Sequence, residues 1–187
     1  MRKVISFMHV TLDGFVAGPD GEMDWIKLDD KMFDLAGEVA DHADTALYGR
    51  VTYEMMQGYW PTAAGQPNAT AHDKHHSAWY NKVSKVILSR TMGSGPGNTT
   101  ILKDNVPEAI NILKKDKGTN ILIFGSPSAS HFLFQQGLID EYWLFINPVV
   151  LGRGIPLFKG INERINMRLV DNRLYDCGVI GLHYVKE

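Results

Sequence analysis

The order of apolar and breaker residues between Asn120 and Phe158 constrains this chain more than any other stretch. NILIFGSPSASHFLFQQGLIDEYWLFINPVVLGRGIPLF opens with the apolar residues 121–124, breaks at Gly125-Ser126, and resumes as an amphipathic run over 129–136 that stops at Gly137. That order predicts a buried strand, a tight turn and a helix. Gly125 can take a backbone angle that other residues resist, and Ser126 is expected to cap the helix, whose first N–H groups point outward as a phosphate-ready terminus. A second apolar strand, 139–146, leads through Asn147-Pro148 to Gly152 and Gly154 flanking Arg153. Such a loop suits close approach of backbone to a ligand or a sheet edge.

The rest of the chain repeats the alternation. Residues 4–10 read as a first buried strand, followed by Thr11-Leu12-Asp13-Gly14-Phe15-Val16-Ala17-Gly18 and a Pro-Asp-Gly turn. Residues 28–40 carry Leu28, Met32, Leu35 and Val39 at helical spacing, with Asp29 and Asp30 at the positive end of the helix dipole. A short strand, 46–48, ends at Gly49-Arg50, and 51–57 reads as a helix. The two prolines and two glycines of 58–68 predict a loop, long enough to serve as a functional rim. A helix over 71–82, a strand over 85–88 running into Ser89-Arg90-Thr91, a surface turn over 92–98 and a helix over 106–117 come next. Alternating residues 164–169 and the strand 179–185 are expected to pair through a turn near 176–178. Strand-helix alternation followed by an antiparallel pair predicts one α/β domain over 1–187, a mainly parallel sheet between two helical layers.

Bulk properties narrow the ligand. A chain of 187 residues can bury roughly 70% of its unfolded surface. Nineteen basic residues against 21 acidic ones, a formal charge of −2, provide no single-sign field for nucleic acid or an anionic membrane. The single cysteine, Cys177, excludes an internal disulfide and a multi-cysteine zinc site, which fits a reducing compartment. Arg2-Lys3 lead straight into the first strand without a signal peptide or membrane span, so a cytoplasmic location is expected. His72, His75 and His76 form an H-x-x-H-H run with no cysteine at zinc spacing, which reads as a solvated helix face rather than a metal site. Gly125-Ser126-Pro127 does not fit the hydrolase elbow, where serine stands two residues after glycine.

Taken together, Leu12-Asp13-Gly14, Gly49-Arg50-Val51-Thr52-Tyr53-Glu54, Val86-Ile87-Leu88-Ser89-Arg90-Thr91, Gly125-Ser126, and Gly137-Leu138-Ile139-Asp140-Glu141 through Pro148 to Gly152 and Phe158 resemble the dihydrofolate-reductase-like family. That family includes the reductase domain of the bifunctional riboflavin-biosynthesis enzymes, and the resemblance runs over essentially the whole length. It implies a doubly wound three-layer α/β/α sheet with a C-terminal antiparallel hairpin, NADPH bound across the carboxyl ends of the strands, and a homodimer. By the family's pattern Gly49, Arg50 and Thr52 approach the pyrophosphate, Ser89, Arg90 and Thr91 the adenosine ribose with its 2′-phosphate, and Gly125 with Ser126 the pyrophosphate again. Val16 and Ala17 supply backbone contacts to the nicotinamide carboxamide.

The residues support that layout. Three strand-to-helix junctions offer backbone donors and two guanidinium groups, matching a ligand with three phosphates in two places. An arginine rather than an acid after the strand 85–88 favours NADPH over NADH. One departure stands out, because many members carry Gly-Gly where this chain has Gly125-Ser126-Pro127, and folate-reducing members add an arginine that is missing here. On the substrate side, spacing from Trp25 puts Asp30 where folate reductases hold the pterin, whereas Asp13 lies closer to the polar group of riboflavin-type reductases. Both are candidate catalytic acids, Trp25 is a candidate cleft wall, and Arg153 could take a substrate phosphate. The expected function is NADPH-dependent hydride transfer to a C=N bond of a small heterocycle, most like 5-amino-6-(5-phosphoribosylamino)uracil reductase. Pterin reduction and a non-catalytic NADPH-binding dimeric sensor are the alternatives.

Overall fold

Alternation of side chains along the first strand sets the layering of the molecule. In the computed structural model, which describes residues 1–187, β1 (Val4–Thr11) lies inside an eight-stranded sheet. Its Ile5 and Phe7 join a buried cluster with Leu35, Tyr53 and Tyr80, while Val4, Met8 and Val10 join a second with Ile110, Leu133 and Phe134. One strand therefore serves two cores, on opposite faces of the sheet. Each large apolar side chain buried in them contributes roughly 1.5–3 kcal/mol.

After β1 come β2 (Phe15–Ala17), α1 (Asp30–Asp41), β3 (Ala43–Gly49), α2 (Arg50–Ala63), α3 (Ala71–Lys82), β4 (Ser84–Leu88) and β5 (Thr99–Leu102). Then follow α4 (Val106–Lys115), β6 (Asn120–Phe124), α5 (Pro127–Gln135), β7 (Glu141–Asn147), β8 (Ile155–Pro156), β9 (Met167–Leu174) and β10 (Ile180–Lys186). The first three helices contribute to the first core and the last two to the second, which gives the expected three layers. Strand order is β5-β4-β3-β6-β1-β7-β10-β9. All neighbours are parallel except that β10 runs antiparallel to both β7 and β9. The chain leaves β1 toward β3, yet β6 is followed by β7 on the other side of β1. In sheets of this kind a ligand crevice forms outside the carboxyl ends of the strands, where the winding direction reverses.

Several expectations are corrected. Residues 58–63 are helical rather than loop, because α2 continues through Pro61 to Ala63. Pro61 sits in the last turn, where its missing N–H bond and its ring disturb only the end of the helix. Trp60 holds that turn by packing at 4.1 Å between ring centroids on His76 and donating its indole N–H to the Met56 sulfur at 3.0 Å. The late hairpin strand begins at Met167 and runs to Leu174, three residues beyond the expected start and five beyond the expected end. β5, for which no element was expected, pairs with β4, so Ser89-Arg90-Thr91 opens a strand-to-strand connection rather than the expected strand-to-helix junction. The two-stranded β2-β8 ribbon joins segments about 140 residues apart, and neither piece is long enough to show a period.

Candidate active site

Three helices begin at the carboxyl edge of the sheet, and all three begin without a side-chain cap. The N-cap residues Gly49 of α2, Asn105 of α4 and Ser126 of α5 make no side-chain bond to the first turn. The other two helices are closed. Asp29 accepts from the Lys31 and Met32 amides at the start of α1, and Thr70 with Asp73 forms a capping box on α3. The three open termini line one groove of about 800 Å³, which α1 and α3 do not reach. Its backbone N–H groups, together with the positive ends of three helix dipoles, form a site made for anionic groups.

Gly125 and Ser126 shape the centre of this edge. Both take left-handed backbone angles, φ 59° and 56°, just before Pro127 opens α5. The helix-capping role expected for Ser126 is corrected by this geometry, since its hydroxyl turns away from its own helix and accepts from the Gly49 N–H at 3.2 Å. Ser126 is 2% exposed. Ser130 supports the same turn by donating to the Gly125 carbonyl at 3.2 Å.

Arg50, Arg90 and Lys103 bring positive charge to the groove. Arg50 is held by an i,i+4 pair with Glu54 at 2.8 Å. Arg90 and Lys103 are exposed, and Asp104 is the one acid on the wall. Ser89 bonds its own turn, accepting from the Thr91 and Met92 amides, and so presents Arg90 at the rim; Thr91 itself lies outside the groove lining. Lys103 and the α4 terminus were missed in the sequence reading. Pro107 was the available signal, a proline in a first helical turn beyond a strand.

A second, apolar cavity of about 390 Å³ adjoins the first. Val51, Thr52, Ser126, Pro127 and Ile155 line both, making one continuous cleft. Val16, Ala17 and Gly125 lie on the apolar side, together with Met8, Phe33, Met55 and Trp60. β2 is held there by β8. Gly154 lets the two strands approach, since a Cβ on it would collide with the Ala17 carbonyl, and His131 bonds the Pro156 carbonyl through Nε2 at 2.7 Å.

The expected substrate-side residues lie around this cavity rather than on its wall. Asp13 holds the loop after β7, accepting from the Leu151 and Gly152 amides and from the Thr11 hydroxyl at 2.6 Å. The Thr11 bond is the chief reason its carboxyl is held below the usual range. Asp30 is exposed in the first turn of α1, behind the capping Asp29. Trp25 is half-buried and donates to the Glu22 carbonyl at 3.3 Å, while its neighbours Met23 and Ile26 supply wall. Arg153 is exposed between its two glycines.

Three histidines face the cavity instead, His9, His72 and His76. The solvated reading of the histidine run is corrected for His76, which is 4% exposed and packed among Trp60, Trp79 and Phe124. Burial pushes His76 down to about 3 and His9 to about 4, so both are neutral at pH 7. The His9 tautomer is set by its neighbour. The Asn147 carbonyl accepts from the Lys27 amide at 2.8 Å and its NH2 donates to the Phe145 carbonyl at 3.0 Å. With the amide so oriented, the NH2 meets His9 Nδ1 at 3.3 Å, which makes Nδ1 the acceptor and puts the ring proton on Nε2.

A groove of open helix starts and cations, joined to an apolar cavity at the carboxyl edge of a parallel sheet, is the layout of an α/β protein that binds an elongated anionic cofactor beside a small organic molecule. The donor set fits a phosphorylated dinucleotide, with backbone amides and Arg50 at one position and Arg90 at another. Residues 2–180 match the RibD C-terminal domain family, and the chain belongs to that family of oxidoreductase enzymes. It is 34% identical to the uncharacterized protein YyaP of Bacillus subtilis (strain 168), over 98% of this chain and 94% of that one. Among solved structures, a Shewanella sp. PV-4 protein provisionally assigned to riboflavin biosynthesis superposes with a TM-score of 0.73 at 20% identity, covering 99% of both chains. The deaminase/5-amino-6-(5-phosphoribosylamino)uracil reductase of Thermotoga maritima gives 0.68 at 15% identity, with all of this chain matching 57% of that one. Dihydrofolate reductase from Enterococcus faecalis gives 0.64 at 14%, covering 99% and 96%. At these identities the structures share the fold. No helix is long and apolar enough to cross a membrane.

Proposed function

We propose that this protein is an NADPH-dependent reductase that adds hydride to the C=N bond of a small heterocycle, a reaction of the same type as the uracil-reductase activity named for the Thermotoga relative. The observation that carries the reading is the convergence of three uncapped helix starts on the groove that opens into the apolar cavity. NADPH, when bound, supplies the hydride, and with a proton from water the C=N group becomes CH–NH.

The chain's own residues position and exclude. Amides at the starts of α2 and α5 and the Arg50 guanidinium take the pyrophosphate, and Arg90 at the rim takes the 2′-phosphate. Val16 and Ala17 would offer backbone to the carboxamide, and they line the cavity beside Gly125 and Thr52, close to where groove and cavity meet. The apolar walls shed water around the reacting atoms. Asp13 acts on this site by fixing the loop after β7 and Asp30 by starting α1, so both are positioning residues in this reading.

The test is oxidation of NADPH, followed by absorbance, with a panel of C=N heterocycles that includes the ribosylaminopyrimidine and dihydrofolate. Consumption of NADPH matched mole for mole by reduced product supports the proposal. A protein that binds NADPH yet reduces nothing across the panel would instead be a non-catalytic binding protein.

A further inference from the structure

The twenty-four residues that line the apolar cavity include no aspartate, glutamate, lysine or arginine. Sixteen of them are hydrophobic, and five are methionines, Met8, Met23, Met32, Met55 and Met56. Methionine is flexible and polarizable and packs well on aromatic faces, so these five provide an adaptable wall for a flat ring. Phe33 and Trp60 complete it, with His72 stacked on Phe33 at 4.4 Å.

The polar content of the cavity is just as particular. Both ring nitrogens of the buried His76 lack any hydrogen-bond partner. An imidazole buried with neither nitrogen bonded is unfavourable, so His76 calls for a polar partner from the cavity that it lines. His9 contributes a donor, because Asn147 occupies its Nδ1 and leaves the Nε2–H edge free.

We infer that this cavity is the substrate site of the proposed reductase and that it takes an uncharged, flat aromatic N-heterocycle carrying no phosphate or carboxylate, read at its polar edge by His76 and His9. A phosphoribosyl group would bring a dianion into a chamber with no cation, and burying an unpaired charge costs far more than any contact there returns. The one arginine proposed from sequence for a substrate phosphate, Arg153, is exposed and does not line the chamber. The inference rests on the reductase reading but makes a separate claim about substrate class.

Calorimetric titration of the NADPH-saturated protein tests it, with quinoxalin-2-one as an uncharged bicyclic probe and the phosphoribosylaminopyrimidine as its charged counterpart. Binding of quinoxalin-2-one at least tenfold tighter than the charged compound is expected. His76→Phe should weaken the probe tenfold or more while leaving NADPH affinity unchanged, which also reports that the variant is folded, and His76→Gln should recover part of the loss. Tighter binding of the phosphoribosyl compound, or an unaltered probe affinity in a His76→Phe protein that still binds NADPH, would overturn the inference. Failure of the wild-type protein to bind NADPH would count against the reductase reading itself, and titration of the probe without nucleotide would still decide the substrate class.

Discussion

The Ser126 hydroxyl accepts a hydrogen bond from the Gly49 amide at 3.2 Å, tying the β3-α2 junction to the β6-α5 junction across the floor of the cleft. Ser126 keeps this contact despite a left-handed backbone that costs a non-glycine residue about 1 kcal/mol. Ser126→Ala retains the strain and loses the bond. It should lower Tm by roughly 2–4 °C, the shift expected of about 1 kcal/mol in a chain of this size, and weaken NADPH about fivefold. Differential scanning calorimetry and nucleotide titration on the same preparation check both. An unchanged nucleotide affinity would detach Ser126 from the groove's function.

Arg90 separates cofactor choice from stability. It is exposed, so Arg90→Ala should leave stability within about 0.5 kcal/mol. NADPH affinity should fall about tenfold with NADH unaffected, and more steeply at low ionic strength. Arg50 behaves differently because Glu54 already holds it. Glu54→Gln should free the guanidinium and tighten both nucleotides by about twofold, the usual worth of an exposed i,i+4 pair.

The buried histidines set a pH dependence of folding. In the unfolded chain His9 and His76 take up protons near pH 6.5, but the folded protein resists protonation until about 4 and about 3. Between those limits the unfolded state binds more protons, so stability is complete above pH 6.5 and falls as pH drops toward 3. The combined loss reaches roughly 8 kcal/mol as pH approaches 3, about half of it by pH 5. Glu141, held down to about 2 chiefly by the His183 hydrogen bond and also by Lys3, adds a further loss below pH 4.5. Urea midpoints at pH 7.5, 6 and 5 should decline in that order, with a shallower decline in His76→Phe.

The expected homodimer has one suitable edge. β9 is the last strand of the sheet, and it exposes Leu169, Val170 and Leu174, the last of these 76% exposed. An open edge strand with exposed apolar side chains favours pairing with a second copy. Sedimentation should report a dimer that Leu174→Asp converts to monomer.

Much of this architecture was legible because it is local. Gly49-Arg50, Ser89-Arg90 and Gly125-Ser126 each end an apolar run, so their places at the carboxyl edge followed from pattern alone. What escaped depends on contacts distant in sequence. Pro61 reads as a breaker, yet Trp60 packing on His76 keeps its turn helical. His76 sits on a helix of low apolar content, and only the tertiary approach of Trp60, Trp79 and Phe124 buries it. The Ser126-Gly49 bond spans 77 residues, which no local rule reports. The Asp30 reading came from its spacing to Trp25 and the Asp13 reading from the family's pattern, and neither tells which side of a turn a carboxylate occupies.

The most direct measurement is equilibrium binding of NADPH and NADH to the purified protein, followed by quenching of tryptophan fluorescence. The account predicts saturable binding of NADPH at least tenfold tighter than NADH, about 1.4 kcal/mol, with the difference abolished in Arg90→Ala. Failure to bind either nucleotide would contradict it.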